Sequence, residues 1–390
     1  MFIVFSNENT ANSQTTIDYK SVASKLNTNL LAQFYDSTNQ VFRDFDSAHT
    51  LQYMVDTVVS GVVSGRDYND AYVFWPTLLT LYAFVEGERA VPGTNKTWIN
   101  QIYNNMEIYF SPKRHAYSAW IYPDNYSSNN FFYDDNSLAV VVLCDAYVVT
   151  GNVTYLNRAW EIMSNFVYGG WQANTGGMLW GTDTTKQNTS DRSAASTTFA
   201  AVAALKLANL GINKSFNITW ASGALDWVSK TLIPATKITN DTNYNDYLVQ
   251  NSLTCNDTAP VANTNPTQYA CASSTWTVTT ATFTYNSGNQ ILGRVLLYQM
   301  DPVTYANSLT ENSFDIRLGA TSPLRNFDKY RHGRDNNNHA ISAEPDQRHT
   351  ANVVVILYRV PWCPGVECSV PWPCSLSKLS GCIRCEYQQS

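Results

Sequence analysis

The chain has 390 residues, of which 44% are hydrophobic, so it is long enough to bury a sizeable core in one large domain. Only 14% of the residues are charged, the net charge is −6, and no Lys/Arg cluster is present, which argues against nucleic acid as a partner. The longest apolar runs reach about ten residues, whereas a membrane-spanning helix needs roughly 20, so we expect no membrane span.

Helical spacing and continuous apolar runs predict a mainly helical chain. The predicted helices lie near residues 15–35, 49–64, 68–87, 97–110, 135–150, 154–167, 193–209, 217–231, 279–300 and 344–360. From Tyr155 to Phe166 the apolar residues form a single stripe, which is typical of a helix with one face in water, whereas Leu138 to Leu143 is apolar on all sides and predicts a buried helix. The two kinds alternate, which predicts an inner ring of helices wrapped by an outer ring.

No interdomain linker is visible before residue 361. We therefore predict one domain over residues 1–360, from which the irregular stretch 234–278 departs as an excursion, and a tail over residues 361–390. The tail carries five of the eight cysteines, namely Cys363, Cys368, Cys374, Cys382 and Cys385. It is either a small knotted segment or read-through from a misjudged exon end, and we place no function in it.

Potential N-glycosylation sites indicate the cellular compartment. The pattern Asn-x-Ser/Thr occurs at Asn95, Asn125, Asn152, Asn188, Asn213, Asn217, Asn240 and Asn256. A single site is weak evidence, but eight sites in a chain poor in charge predict a secreted, N-glycosylated protein; the alternative is chance, given the abundance of Asn and Thr. The first five residues are apolar but too short for a signal peptide, so none is visible in this sequence.

The remaining cysteines fit a secreted protein. Cys255 and Cys271 bracket a polar segment rich in Asn, Thr and Pro, which predicts a loop closed by a disulfide. Cys144 lies within an apolar helical run and is expected to be a buried thiol.

Two adjacent acids form the most informative feature of the sequence. Asp134 and Asp135 follow the aromatic run Phe131 to Tyr133 and come directly before a buried helix. A helix N-terminus favours carboxylates, and two carboxylates so close do not both ionise easily, so one pKa rises. The pair therefore predicts one carboxylate ready to attack and one acid ready to donate a proton, as glycoside cleavage requires. The alternative is an ordinary helix cap or a solvated loop.

The spacing of the pair favours one stereochemical outcome. Neighbouring α-carbons lie about 3.8 Å apart, and side chains from them hold their carboxyl groups roughly 5 Å apart, which suits retention of configuration rather than inversion.

Several segments, in order, resemble glycoside hydrolase family 76, the endo-α-1,6-mannanases. The stretch 131–150 is similar to the family signature of an aromatic residue, Asp-Asp-Asn and an apolar helix. Residues 169–180 resemble its Gly-rich, Trp-bearing loop, residues 194–207 its Ala-rich inner helix, and residues 284–288 its Thr-Tyr-Asn-Gln-Gly motif. In its organisation the chain resembles the family over roughly residues 15–300. The departures are Asp191-Arg192-Ser193 in place of Lys-Asn, and Ser287 in place of Gln, and they concern substrate choice more than fold.

The resemblance implies an all-α fold of the (α/α)6 barrel type, a toroid of inner and outer helices, and a retaining enzyme. Asp134 would be the nucleophile and Asp135 the acid/base, and the polysaccharide substrate would be an α-1,6-linked mannan of fungal-type cell walls. We place substrate contacts at Tyr133, Asn136, Trp171, Trp180, Tyr285 and Asn286, since aromatic rings stack on sugar faces; core packing is the alternative for each ring. We expect a monomer without cofactor or metal.

Three other functions remain open. A transglycosylase would use the same acids and transfer the sugar to another glycan, and a non-catalytic glycan-binding barrel would need neither acid. A magnesium-dependent helical enzyme would want a further acid one turn on, where Leu138 and Ala139 stand. The polar stretch Arg331 to His349 contains three histidines, but their spacing fits no zinc pattern, and a solvated loop is the simpler interpretation.

Overall fold

Helices dominate the protein in its computed structural model, which describes residues 19–37, 41–42, 57–59, 62–65, 74–120, 131–182, 191–234, 248–256, 258–260, 269–271 and 275–305. These residues all belong to one compact unit, residues 18–342. The helices are α1 (Tyr19–Phe34), α2 (Phe74–Ala90), α3 (Lys96–Met106), α4 (Tyr133–Thr150), α5 (Val153–Asn165), α6 (Ala194–Asn209), α7 (Lys214–Thr231) and α8 (Thr284–Met300). The helix predicted near 344–360, the stretch 331–349 and the Cys-rich tail lie outside the described residues.

Even-numbered and odd-numbered helices occupy different environments. α4 packs between α2 and α6, and α6 packs between α4 and α8. The side chains of α4 from Asn136 to Ala146 are buried without interruption, because its apolar residues surround the helix axis. α3, α5 and α7 cover α2, α4 and α6 from outside, and each buries a single face. The predicted inner and outer rings are confirmed for the described helices.

Local sequence explains how the chain turns from the inner helix α4 to the outer helix α5. α4 ends at Gly151, whose φ of 77° is a left-handed conformation that glycine adopts without strain. The next residue, Asn152, accepts a hydrogen bond from the backbone N–H of Thr154 through its side chain and so caps α5. The Gly-Asn pair therefore turns the chain from an inner helix to an outer one.

Short strands occur where the sequence analysis predicted none. They are β1 (Tyr35–Asp36), β2 (Val41–Phe42), β3 (Thr57–Val59), β4 (Val62–Gly65), β5 (Phe110–Ser111), β6 (Ala116–Tyr117), β7 (Asp191–Ser193), β8 (Gln250–Cys255), β9 (Thr258–Pro260), β10 (Tyr269–Cys271) and β11 (Trp276–Thr282). The helix predicted over 49–64 is wrong in its described part, because β3 and β4 pair antiparallel there. Paired valines on either side of Ser60-Gly61 favour a hairpin.

The stretch 234–278 is more regular than predicted. β8 lies between β7 and β11 in an antiparallel three-stranded sheet, and Ser193, at the start of α6, pairs with Ser252. The predicted helix 279–300 therefore starts only at Thr284, because Trp276–Thr282 belongs to the sheet. The excursion thus builds the rim beside the first turns of α6 and α8.

Two of the five potential glycosylation sites that lie within the described residues belong to the core. Asn95 is buried and its amide accepts a hydrogen bond from Asn27. Asn217 is fully buried, donates to the carbonyl of Ile212 and accepts from the hydroxyl of Tyr168. In the folded protein neither amide is open to a glycan, whereas Asn213 and Asn256 are exposed.

The cysteine predictions have different outcomes. Cys144 is a buried free thiol, as predicted. Cys255 is buried and disulfide-bonded, but the side chain of Cys271 lies outside the described ones, so the pairing of these two residues stays a prediction.

A cluster of charged side chains around the buried Asp145 joins three inner helices near their C-terminal ends. Asp145 of α4 accepts hydrogen bonds from Lys206 of α6 at 2.7 and 2.8 Å and pairs with Arg89 of α2 at 3.0 Å. Arg89 also pairs with Glu86 at 3.2 Å. The polar contacts between α2, α4 and α6 thus lie toward the helix ends opposite those that carry Asp134 and Asp135.

This cluster predicts a pH dependence of stability. Burial raises the pKa of Glu86 from 4.5 to about 7, although Arg89 opposes the rise. Between about pH 4.5 and 7 the folded protein therefore binds more protons at this group than the unfolded chain, so the free energy of unfolding falls as the pH rises through this window. Glu86→Gln should make this fall smaller in urea denaturation at a series of pH values. An unchanged pH dependence would contradict the assignment.

Candidate active site

The N-termini of three inner helices meet at one end of the barrel. Trp180 donates a hydrogen bond to Asp134 at the start of α4, and Met178, two residues earlier, forms a bridge with Ser193 at the start of α6. Tyr285, at the start of α8, stacks on Phe199 of α6 with ring centroids 6.3 Å apart. Burial, and then the charge of Asp134, raise the pKa of Tyr285, so the two side chains interact electrostatically. The three helix N-termini consequently direct their positive ends toward the carboxylate pair.

Asp134 is held as a hydrogen-bond acceptor on both of its oxygens. Oδ1 accepts from the backbone N–H of Asp135 at 3.0 Å, and Oδ2 accepts from Nε1 of Trp180 at 3.1 Å. Burial raises the pKa of Asp134 to about 6, and these hydrogen bonds limit the rise, because they stabilise the charged form. Asp134 is therefore mostly ionised at neutral pH.

Asp135 has the opposite environment. Its carboxyl group makes no hydrogen bond to a described residue, and it is partly buried. Burial and then the charge of Asp134 raise the pKa of Asp135 well above its usual value. Both pKa values are thus raised, that of Asp135 more than that of Asp134, and this asymmetry favours the proton on Asp135 and the charge on Asp134.

A hairpin carries Trp180 to the pair. Trp171 and Met178 form a bridge, and the backbone N–H of Leu179 donates to the carbonyl of Gly170 at 3.0 Å. The turn of this hairpin contains Gly177, whose φ is 73° and where a Cβ would lie 2.4 Å from the indole of Trp227. Only glycine fits this position without displacing the indole, so the predicted Gly-rich loop is a tight turn packed on α7.

An aromatic wall stands at the start of α8. Tyr285 is 37% exposed, and its ring stacks on Phe283 at 5.3 Å with an interplanar angle of 13°. Phe283 is 43% exposed, and Phe199 continues the stack from α6. Open, nearly parallel ring faces near a carboxylate pair suit a sugar ring. Tyr285 was predicted from the sequence, whereas Phe283 and Phe199 were not, although Phe283 directly precedes the Thr-Tyr-Asn motif.

Other residues predicted to contact substrate are buried. Asn136 is fully buried and fixes α4 to β6, since it donates to the carbonyl of Tyr117 at 2.9 Å and accepts from its N–H at 2.7 Å. Tyr133 is 7% exposed and stacks on Phe166 at 4.7 Å. These contacts hold the first turn of α4 from the side of the core. Because both side chains are buried, they do not fit the predicted direct contacts with a sugar.

Trp171 and Asn286 have other surroundings than the carboxylate pair: Trp171 packs on the tryptophans of α7, and Asn286 is buried at the start of α8. The partly buried ring of Trp171 meets the edges of Trp220 and Trp227 at 5.6 and 6.5 Å. Asn286 is fully buried, and its amide makes no hydrogen bond to a described residue. Of the six predicted substrate-binding residues, the structure brings Trp180 and Tyr285 to the carboxylate pair.

The described residues contain no cluster of three or more His, Cys, Asp or Glu arranged to hold a metal ion. Among the helices that the structure describes, none has the length and hydropathy of a membrane-crossing segment.

Comparison with known proteins gives this arrangement a family. The family model of Glycosyl hydrolase family 76 matches residues 18–304. The curated Meiotically up-regulated gene 191 protein of Schizosaccharomyces pombe (strain 972 / ATCC 24843) is 24% identical over 274 residues, which are 68% of this chain and 54% of that protein. The chain therefore spans about half the length of this curated relative.

Solved structures show the same architecture. An inactive double Asp-to-Asn variant of an α-1,6-mannanase from Salegentibacter sp. HEL1_6, in complex with α-1,6-mannotriose, superposes with a TM-score of 0.54 at 18% identity, covering 78% of this chain and 70% of that chain. A family 76 glycoside hydrolase from a bovine Bacteroides thetaiotaomicron strain gives 0.54 at 19%, covering 79% and 56%.

These likenesses confirm the predicted fold class, an all-α (α/α)6 barrel, and at this identity they show the fold alone. Because the family model matches well over half of its length, the chain belongs to glycosyl hydrolase family 76.

Proposed function

We propose that the protein is a secreted, retaining endo-α-1,6-mannanase that hydrolyses α-mannan of fungal-type cell walls. The observation that carries this proposal is the asymmetry of the adjacent acids, because Asp134 accepts two hydrogen bonds and Asp135 accepts none from the described residues. A glycosidase that retains configuration needs one charged and one protonated carboxyl group at the same bond.

In the first step Asp134 attacks the anomeric carbon of a mannose residue. The bond from that carbon to the glycosidic oxygen breaks, and Asp135 gives its proton to the departing oxygen. The mannosyl unit is then held as an ester on Asp134, and Asp135 is left as a carboxylate. Burial still raises the pKa of Asp135 at this stage, but the second cause of its rise, the charge of Asp134, is lost in the ester.

In the second step a water molecule replaces Asp134. Asp135, now a carboxylate, takes a proton from the water, and the resulting oxygen nucleophile attacks the anomeric carbon. The ester bond breaks, Asp134 leaves as a carboxylate and Asp135 is protonated again. Two inversions at the same carbon restore the α configuration, so the enzyme returns to its starting protonation state.

The choice of substrate has two supports. The first is the Salegentibacter protein, whose inactive variant binds α-1,6-mannotriose. The second is the aromatic wall of Phe283 and Tyr285, whose exposed rings offer a neutral stacking surface beside Asp134. A wall without charge suits a neutral polysaccharide chain more than an acidic one.

Secretion is supported by the positions of the potential glycosylation sites. Asn213 and Asn256 are exposed on the described surface and open to modification. Expression in a secreting host, followed by enzymatic deglycosylation and mass spectrometry, tests this point; the chain should be recovered from the medium with glycans at Asn213 or Asn256.

The pH dependence of activity follows from the pair. Cleavage requires ionised Asp134, whose pKa is about 6, so kcat/KM should fall as the pH drops through that value. It also requires protonated Asp135, whose pKa is raised well above the usual range, so the second fall should come on the alkaline side. Because the groups interact, both apparent values belong to the pair. A profile of kcat/KM from acid to alkaline pH checks this, and full activity at pH 4 would contradict it.

The direct test is incubation with linear α-1,6-mannan, followed by sizing of the products. An endo-acting enzyme shortens the polymer early and releases oligosaccharides rather than mannose alone. Adding an oligosaccharide acceptor distinguishes hydrolysis from transglycosylation, since only a transglycosylase makes products longer than the acceptor in large yield. A folded protein that leaves the polymer intact would refute the proposal.

A further inference from the structure

Trp180 is attached to the catalytic turn by both its backbone and its side chain. Its carbonyl accepts a hydrogen bond from the N–H of Tyr133 at 2.8 Å, and its indole Nε1 donates to Oδ2 of Asp134 at 3.1 Å. Its ring packs against Phe132 with centroids 5.0 Å apart. Three contacts therefore join Trp180 to the first turn of α4 and the residue before it.

The neighbouring residue leaves little freedom in this attachment. Gly181 pairs with Phe132 in a bridge, and a Cβ at Gly181 would lie 3.0 Å from the Phe132 ring and 3.2 Å from the carbonyl oxygen of Phe131. The N–H of Thr182 donates to that same carbonyl at 3.0 Å. The backbone contacts of Gly181 and Thr182, together with the packing of the indole on Phe132, therefore fix the direction in which the indole N–H of Trp180 points.

The indole bond reaches only one of the two acids. Asp134 receives the side-chain donor of Trp180 in addition to a backbone donor, and Asp135 receives none from the described residues. A hydrogen bond to the charged form of a carboxyl group favours that form, and it is strongest when the acceptor is ionised. In two neighbouring acids that compete for one proton, such a donor selects which acid keeps the charge.

We propose that Trp180 is a positioning residue that assigns the roles of the two acids: its indole N–H holds the charge on Asp134 and thereby leaves the proton on Asp135. This role differs from the sugar stacking predicted from the sequence, because Phe132 already covers part of the indole. Its catalytic consequence depends on the proposed function, whereas the hydrogen bond and its effect on proton affinity do not.

Trp180→Phe tests the inference because phenylalanine keeps an aromatic ring against Phe132 and lacks the N–H. The titration of the aspartate carboxyl carbons, followed by NMR in the full chain without substrate, reports the proton affinity directly. We expect the lower apparent pKa of the pair to rise by about one unit, a tenfold gain in proton affinity. The pH at which kcat/KM falls on the acidic side should rise by the same amount, with KM unchanged.

Trp227→Phe is the matched control. Its indole Nε1 also donates to the same hairpin, but to the backbone carbonyl of Thr175 at 2.9 Å, so the variant removes an equivalent bond without touching the pair. A rise confined to Trp180→Phe supports the inference. No rise, or an equal rise in both variants, overturns it, because the effect would then come from the hairpin as a whole.

A second measurement needs no variant. In the wild-type protein the indole N–H signal of Trp180 should shift with pH and follow the lower apparent pKa of the pair, while that of Trp227 should not. An indole signal of Trp180 that stays constant through that titration overturns the inference even where Trp180→Phe fails to fold. If the titration behaves as expected and mannan stays intact, the proposed function fails and the positioning role stands.

Discussion

Asp134→Asn should lower kcat/KM for the cleavage of α-1,6-mannan by at least about 10⁴-fold, because the amide cannot form the covalent ester. The substitution keeps the size of the side chain, and its single amide oxygen can still accept one of the two hydrogen bonds, from the N–H of Asp135 or from the indole of Trp180, which contact Asp134 at 3.0 and 3.1 Å. The loss should therefore be chemical. Circular dichroism and thermal unfolding of the variant provide the control for folding.

Asp135→Asn separates the two roles. Loss of the general acid should reduce mannan cleavage by about 10³-fold, but a mannoside with a good leaving group, such as dinitrophenol, needs no protonation of the departing oxygen. On that substrate Asp135→Asn should still form the ester, and Asp134→Asn should remain inactive. The reverse pattern would exchange the roles of the two acids, and full activity of either variant on mannan would show that the pair is not catalytic.

Asp145→Asn should lower the free energy of unfolding by about 3 kcal/mol or more, which is typical for breaking a buried ion pair. Asp145 is 5% exposed, accepts from Lys206 and pairs with Arg89, so the amide removes a buried negative charge that faces two cations. Urea denaturation monitored by tryptophan fluorescence measures the change.

Glu161→Gln is the control for this prediction. Glu161 also has two basic partners, Arg158 at 3.0 Å and His115 at 2.9 Å, but its side chain is 34% exposed, whereas Asp145 is buried. A pair near the surface contributes about 1 kcal/mol or less. Equal losses in the two variants would contradict the view that the Asp145 cluster is an internal tie between α2, α4 and α6.

Periodicity was sufficient to predict the helices that build the ring. Leu138 to Leu143 of α4 is apolar all round and the helix is buried on all sides, whereas Tyr155, Leu156 and Ala159 of α5 form the single buried stripe. These signals depend on sequence neighbours alone. The hairpin of β3 and β4 was missed because a short run rich in valine fits a buried helix as well as a strand, and periodicity does not separate them.

The pair of acids that we propose to be catalytic was visible in the sequence for a similar reason. Asp134 and Asp135 are adjacent, so their interaction and their position at a helix N-terminus follow from local order. The contacts of Trp180 and Asn136 do not, because each reaches a residue distant in the sequence: Trp180 bonds to Asp134 and Asn136 to Tyr117. Sugar contacts were predicted for both residues, and the supporting role that we propose for Trp180 depends on tertiary packing.

The configuration of the first product tests the central claim most directly. Proton NMR can follow the anomeric signal of the new reducing end while the protein cleaves linear α-1,6-mannan, before mutarotation mixes the two forms. If Asp134 forms an ester and Asp135 supplies and recovers the proton, the α anomer appears first and the β anomer follows slowly. A β anomer in the first spectra would show inversion and would contradict the assignment of Asp134 as the nucleophile.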